Sequence, residues 1–214
     1  MKRSADERFH WNVAYAFAKH IRSHAGDLMI RLGEARGSKI HADEDGPLLK
    51  NATYCMAFLA QRVLCASAPE SMRSELRDYI LTFVAYESHP PDWLGPQGMK
   101  GLIVESVSHS AALAFEPSRD SAFFRAWAEA FFEIIPAPGV SNGKERYAEA
   151  VLAHYESLQS EHAGAVAKVK ADPGKNWLGY AHGLSSNLAK HAGCSVLIAA
   201  LSTLLAGTIA ACAA

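Results

Sequence analysis

The chain has 214 residues, 50% of them hydrophobic and 20% charged, with a formal net charge of -1. Such a chain is too apolar to be intrinsically disordered, and it lacks the basic excess that sequence-independent nucleic-acid binding needs, so no nucleic-acid partner is expected. Four cysteines are too few for a disulfide scaffold, and the length suits one folded core.

Hydrophobic residues recur with a helical period throughout, and no stretch alternates as a strand would. The expected fold is all-α: a single bundle of seven to eight helices with a C-terminal apolar helix that is transmembrane. The charged start, Met1 to Arg8, precedes no apolar run, so no secretory signal is expected there. Ser4 and Glu7 have capping-box spacing, and behind them Phe9, Val13, Phe17 and Ile21 mark one buried face. Gly26 should interrupt that first helix. Asp27 should then cap a short helix through Leu28 and Leu32, ending near Gly33 or Gly37. Residues 37–46 read as a polar loop whose acids Asp43, Glu44 and Asp45 face solvent, and Pro47 as the first residue of the next helix. That helix should run to about Ala66 and turn Leu48, Ala52, Cys55, Met56, Leu59 and Val63 inward.

Ser67 and Glu70 repeat the capping spacing before a helix carrying Met72, Leu76, Ile80 and Phe83. It should stop before His89-Pro90-Pro91, because residues preceding proline disfavour helical geometry. Residues 88–101 are rich in proline and glycine and read as a loop around Trp93, which either plugs the core or offers a partner surface. A fifth helix holds Ile103, Val107, Ala111 and Ala114. A sixth is aromatic: Phe124, Trp127 and Phe131 form one face, while Phe123 and Phe132 fall off it and either widen the buried face or add a partner surface. Asn142 and Glu145 have capping spacing before a long seventh helix over 143–171, on which His154, Glu161 and His162 are expected at an exposed or edge position. Asp172-Pro173 reads as the start of a further helix with Trp177, Tyr180, Leu184 and Leu188.

From Ala192 to Ala214 no Asp, Glu, Lys, Arg or His occurs. As a helix that segment would reach roughly 34 Å, against about 30 Å for a bilayer hydrocarbon core. Lys168, Lys170, Lys175 and Lys190 precede it against one acid, Asp172, so the expected orientation leaves the N-terminal part cytosolic. The expected organisation is therefore a cytosolic bundle over 1–172, a juxtamembrane helix over 173–191 and a single-pass membrane anchor over 192–214, with the lipid bilayer as partner. The alternative is a buried central helix of a soluble bundle. Ser195, Ala199, Thr203, Gly207 and Ala211 recur every four residues, the small-residue spacing that lets helices approach closely in lipid, so a homo-oligomer through this segment is a further expectation. Any alanine-rich helix also shows such rows by chance.

Motifs for chemistry are few. Neither the zinc-protease His-Glu-x-x-His pattern nor a phosphate loop occurs, and Glu7 with His10 is half of a di-iron pair at most. His20 and His24, one turn apart on the first helix, are the candidate metal ligands, but they lack a third ligand and have Lys19 and Arg22 beside them. No cofactor is expected; no catalytic motif is found, which is weak evidence against an enzyme because helical enzymes can scatter their site. The expected function is a membrane-anchored adaptor or regulator acting through contacts with an unknown protein partner. A membrane-remodelling or pore-forming protein and a soluble helical enzyme or ligand-binding bundle are the alternatives. In architecture, a helical bundle followed by an apolar segment resembles the apoptosis regulators of the Bcl-2 type. The Gly26-Asp27 pair is shared, but the preceding apolar residue stands one position off that family's pattern, so the resemblance implies no function.

Overall fold

A computed structural model of the chain describes residues 3–21, 24–38, 40, 42–87, 95–111, 122–137 and 139–183. Among them are eight helices and no strand: α1 (Ala5–His20), α2 (His24–Arg36), α3 (Ala42–Ala66), α4 (Glu70–Glu87), α5 (Gly95–Ala111), α6 (Ala122–Ile134), α7 (Gly143–Ala171) and α8 (Trp177–Gly183). The all-α bundle is as the periodicity indicates. None of these helices is long and apolar enough to cross a membrane. The 192–214 segment, with Ser195, Ala199, Thr203, Gly207 and Ala211, lies outside the described residues, as does Trp93.

The centre of the bundle is α3. Every residue from Ala52 to Gln61 is buried, so this helix is enclosed on all sides rather than along one stripe. It touches α2, α4, α5, α6 and α7. The sequence points to Ala52, Cys55, Met56 and Leu59 as its inner face, and the structure adds Tyr54, Ala57 and Phe58. A helix this apolar must still satisfy its polar side chains. Thr53 does so by donating from Oγ1 to the Leu49 carbonyl at 2.8 Å.

Several boundaries differ from expectation for identifiable reasons. Ser4 does cap α1: its hydroxyl accepts from Glu7 N, and Glu7 closes the box by accepting from Ser4 N. Gly26 does not precede α2 but sits in its first turn, where the helix opens at His24 and Asp27 adds a favourable negative charge. Gly37 ends α2 with φ +74°, its N–H reaching the Gly33 and Glu34 carbonyls at 3.1 Å. The 37–46 stretch is not all loop, because α3 begins at Ala42 and takes Pro47 into its interior. Pro47 is the sixth residue of α3, so the helix lacks the N–H that would bond the carbonyl four residues back, a loss confined to its N-terminal end. Likewise α5 begins at Gly95 inside the proline- and glycine-rich stretch, with Pro96 just after its start. Instead of capping α4, the Ser67 hydroxyl meets His162 Nε2 at 3.3 Å.

The α6–α7 junction is shaped by a left-handed residue and a close approach. Asn142 precedes α7 in the left-handed region at φ 60° and its side chain makes no capping bond, contrary to the capping spacing. Gly143 follows where a Cβ would lie 3.0 Å from Phe132 Cε2 and 3.3 Å from Ala137 Cβ, so only glycine fits without movement. Inside the turn the Tyr147 hydroxyl donates to the Ile135 carbonyl at 2.7 Å. Asp172 closes α7 rather than opening α8, which starts only at Trp177 after a turn through Pro173. That turn folds α8 back onto α1.

Candidate functional site

Two clusters of chemistry-bearing side chains emerge, and α7 contributes to both. On this helix His154, Leu158, Glu161, Ala165 and Lys168 share one face, at spacings of three and four residues. That face packs against α1 and α2. His154 is therefore not at an exposed or edge position: it is 1% exposed. The 3.6-residue period carries it into the same seam as Leu158 and Val151.

His154 meets His24, the first residue of α2, edge to face with ring centroids 4.9 Å apart. His24 is also buried. Among the described residues both nitrogens of His154 and Nδ1 of His24 lack a hydrogen-bond partner. Buried polar groups are nearly always paired, so three unpartnered nitrogens at one contact mark an unusual place in the core. Burial, with smaller repulsion from His24 and Arg31, pushes the His154 pKa down to about 3. Burial also lowers that of His24, against the attraction of Asp27 and Glu161. Both imidazoles are consequently neutral at neutral pH.

One turn further along the seam His20 has a different setting. Its Nδ1 stands 3.0 Å from Glu161 Oε2 and its Nε2 3.0 Å from Lys168 Nζ. An ammonium only donates, so Nε2 must accept and the ring proton sits on Nδ1, donating to the carboxylate. This fixes a neutral tautomer. Burial lowers the His20 pKa, and Lys168 adds to that against the opposing pull of Glu161. His20 and His24 thus belong to different helices and turn to different partners, because α1 ends between them. Among the described residues no group of three or more His, Cys, Asp or Glu is placed to hold a metal ion.

The second cluster lies where α8 packs on the end of α1. Trp177 is buried, and its indole N–H donates to the Asp172 carbonyl at 3.0 Å. Tyr180 stands edge to face against it at 5.3 Å. Lys19 donates to the Tyr180 hydroxyl at 2.8 Å, and its ammonium lies 4.3 Å from the ring centroid. Lys175 covers the same ring at 4.1 Å and the Trp177 ring at 4.6 Å. The hydrogen bond from Lys19 is the main cause of a lowered Tyr180 pKa, and the charges of Lys19, Lys168 and Lys175 add to it. Two ammonium groups, from α1 and the α7–α8 turn, therefore meet at one tyrosine ring.

A third feature is a cleft of about 690 Å³ between α1, α4 and α5. Trp11 and Tyr79 line its base, edge to face at 5.7 Å, and Arg77, Asp78 and Val104 line its sides. Lys100 bridges to Asp78 at 2.6 Å beside it.

Comparison with known protein families, with characterised proteins and with solved structures found no match.

Of the surface residues singled out from the sequence, Phe132 is half-buried against Tyr147, at 6.1 Å between ring centroids, with Lys144 above it at 5.7 Å. It widens the buried face of α6 more than it offers a surface. Phe123 lies in α6, but its side chain is outside the described residues. Phe124, Trp127 and Phe131 form the buried stripe their spacing indicates. The convergence of Lys19 with Tyr180 and Lys175 has no local signature, since 161 residues separate the bonded pair. The α7 face was readable in principle from the spacing of His154, Leu158, Glu161, Ala165 and Lys168.

Proposed function

We propose that this chain is a helical domain held at a membrane by the 192–214 segment, its bundle on the cytosolic side, acting through contacts with another protein. The observation that carries the reading is the enclosure of α3. A bundle of this kind needs one apolar strut at its centre, and Ala52 to Gln61 already fill that place. A second uncharged helix of 192–214 composition is then free to bury itself in lipid, where its length suits the hydrocarbon thickness. The handover supports the same reading: α8 is pinned to α1 through Trp177 and Tyr180 with lysines about them, a pairing suited to a headgroup layer. The cleft floored by Trp11 and Tyr79 is the surface assigned to the protein partner, since buried aromatics dominate binding energy at interfaces.

A soluble ligand-binding bundle is the second reading, favoured by the unpartnered nitrogens of His24 and His154. Fractionating the full chain and a 1–191 truncation separates the two. The membrane reading expects the full chain to resist alkaline washing of membranes, and the truncation to be soluble and helical by circular dichroism. A soluble full chain with a truncation that collapses would replace it with the second reading.

A further inference from the structure

We infer that the Lys19–Lys175–Tyr180 cluster is a seat for the phosphate of an anionic lipid headgroup. The inference rests on the membrane reading above and assigns that site its ligand. The chain as a whole carries a formal charge of -1, yet four lysines lie on the end of α1, the end of α7 and the α7–α8 turn. Lys19 and Lys175 flank the Tyr180 ring, Lys168 stands on the neighbouring turn against His20, and Lys170 follows on the last turn of α7. Among the acids close by, the Glu161 carboxylate is engaged by the His20 N–H, and Asp172 lends its backbone carbonyl to Trp177. Neither carboxylate pairs with the Lys19 or Lys175 ammonium; Asp172 meets Lys175 through the backbone alone, its carbonyl accepting from Lys175 N at 3.4 Å. Those two ammonium groups rest on an aromatic face and a phenol oxygen, which leaves them donors to give.

The chemistry fits a phosphate diester better than a protein carboxylate surface. Ammonium groups on flexible stems bind phosphate as point charges, and the Tyr180 hydroxyl adds a polar group beside them. Tyr180, half-buried over the buried Trp177, has the amphipathic character that favours the headgroup layer. The chain continues from α8 toward the uncharged 192–214 segment, which brings this end of the bundle to the bilayer if that segment enters it. Each lysine near an anionic surface strengthens binding about fivefold, so removing two should weaken a headgroup contact about 25-fold.

Energy transfer from Trp177 to a dansyl-labelled headgroup lipid tests this on the full chain. Trp177→Phe supplies the blank for the other tryptophans. Vesicles of phosphatidylcholine are compared with vesicles that also contain phosphatidylserine. Transfer should rise when phosphatidylserine is present and fall with added salt. Lys19→Gln with Lys175→Gln should remove the increment. Lys175→Gln alone, whose side chain only covers rings, should reduce it without disturbing the fold. Transfer that ignores phosphatidylserine overturns the headgroup seat. So does a Trp177 response to inorganic phosphate alone with none to phosphatidylserine vesicles, which would assign the site to a soluble phosphate. Alkaline washing of the same vesicles reads the anchor separately. Protein released by the wash with its phosphatidylserine increment intact removes the anchor and keeps the seat. Protein that resists the wash without an increment keeps the anchor and removes the seat.

Discussion

Acidification should destabilise the bundle through His154, and the size of the effect follows from its burial. The imidazole is 1% exposed and titrates at about 3 in the folded chain. In the unfolded chain it titrates near 6.5. Below that value the unfolded state binds a proton that the folded state refuses, so stability falls as pH drops from about 6.5 toward 3 and is fully present above that window. At about pH 5 the gap is roughly 1.5 units at 1.36 kcal/mol each, or about 2 kcal/mol from this one side chain. For a domain of this size that is a fall of about 4–8 °C in Tm. His20, His24 and His162 also have lowered pKa values from burial, so they add to the slope with the same sign. A double difference isolates His154. Urea unfolding followed by far-ultraviolet circular dichroism, on the full chain in one medium at both pH values, compares the wild type with His154→Leu. The variant should lose about 2 kcal/mol less between pH 7.5 and pH 5. At neutral pH it should also forfeit little, because two unpartnered polar atoms leave the core with the ring. An equal acid loss in both proteins, or an NMR titration of His154 near 6.5, would refute the reasoning.

Ser4→Ala should remove the hydroxyl arm of the α1 capping box, leaving the backbone N–H of residue 4 to Glu7, and cost about 1 kcal/mol, read as a small fall in Tm with the helical spectrum intact. Tyr147→Phe should cost about 1–2 kcal/mol, because it leaves the Ile135 carbonyl unpaired at the α6–α7 turn; equal stability would mean water replaces the hydroxyl. Phenolate absorbance during an alkaline titration should show an early phase from Tyr180 that Tyr180→Phe removes and Lys19→Gln delays, since the Lys19 hydrogen bond is the main cause of its lowered pKa.

Much of the architecture is legible in the periodicity. The apolar stripes of α1, α4, α6 and α7 are local patterns, and Ser4 with Glu7 is a complete local signal. Boundaries set by backbone geometry are less so. Pro47 looks like a helix start in sequence, but α3 begins five residues before it, and α5 begins at Gly95 inside a stretch whose prolines and glycines look like loop. Asp172-Pro173 has the form of a helix start, yet the turn there is needed to reverse the chain onto α1. The candidate sites were only half visible. His20 and His24 were found as residues but joined wrongly, since their spacing reads as one helix until the break between α1 and α2 is known. His154 reads as an outside residue because histidines are more often exposed, although its spacing to Leu158 argues for the inner face. Lys19 on Tyr180 was beyond sequence reasoning, because nothing local pairs residues from the two ends of the bundle.

The central claim is that the 192–214 segment, and no other, enters the bilayer. Photolabelling with a lipid-phase reagent, followed by mass spectrometry of the full chain in membranes, tests it most directly. Label should concentrate within 192–214 and spare α1 to α7. Label on the aromatic helix α6 or on α3, or a segment left unlabelled, would contradict the account.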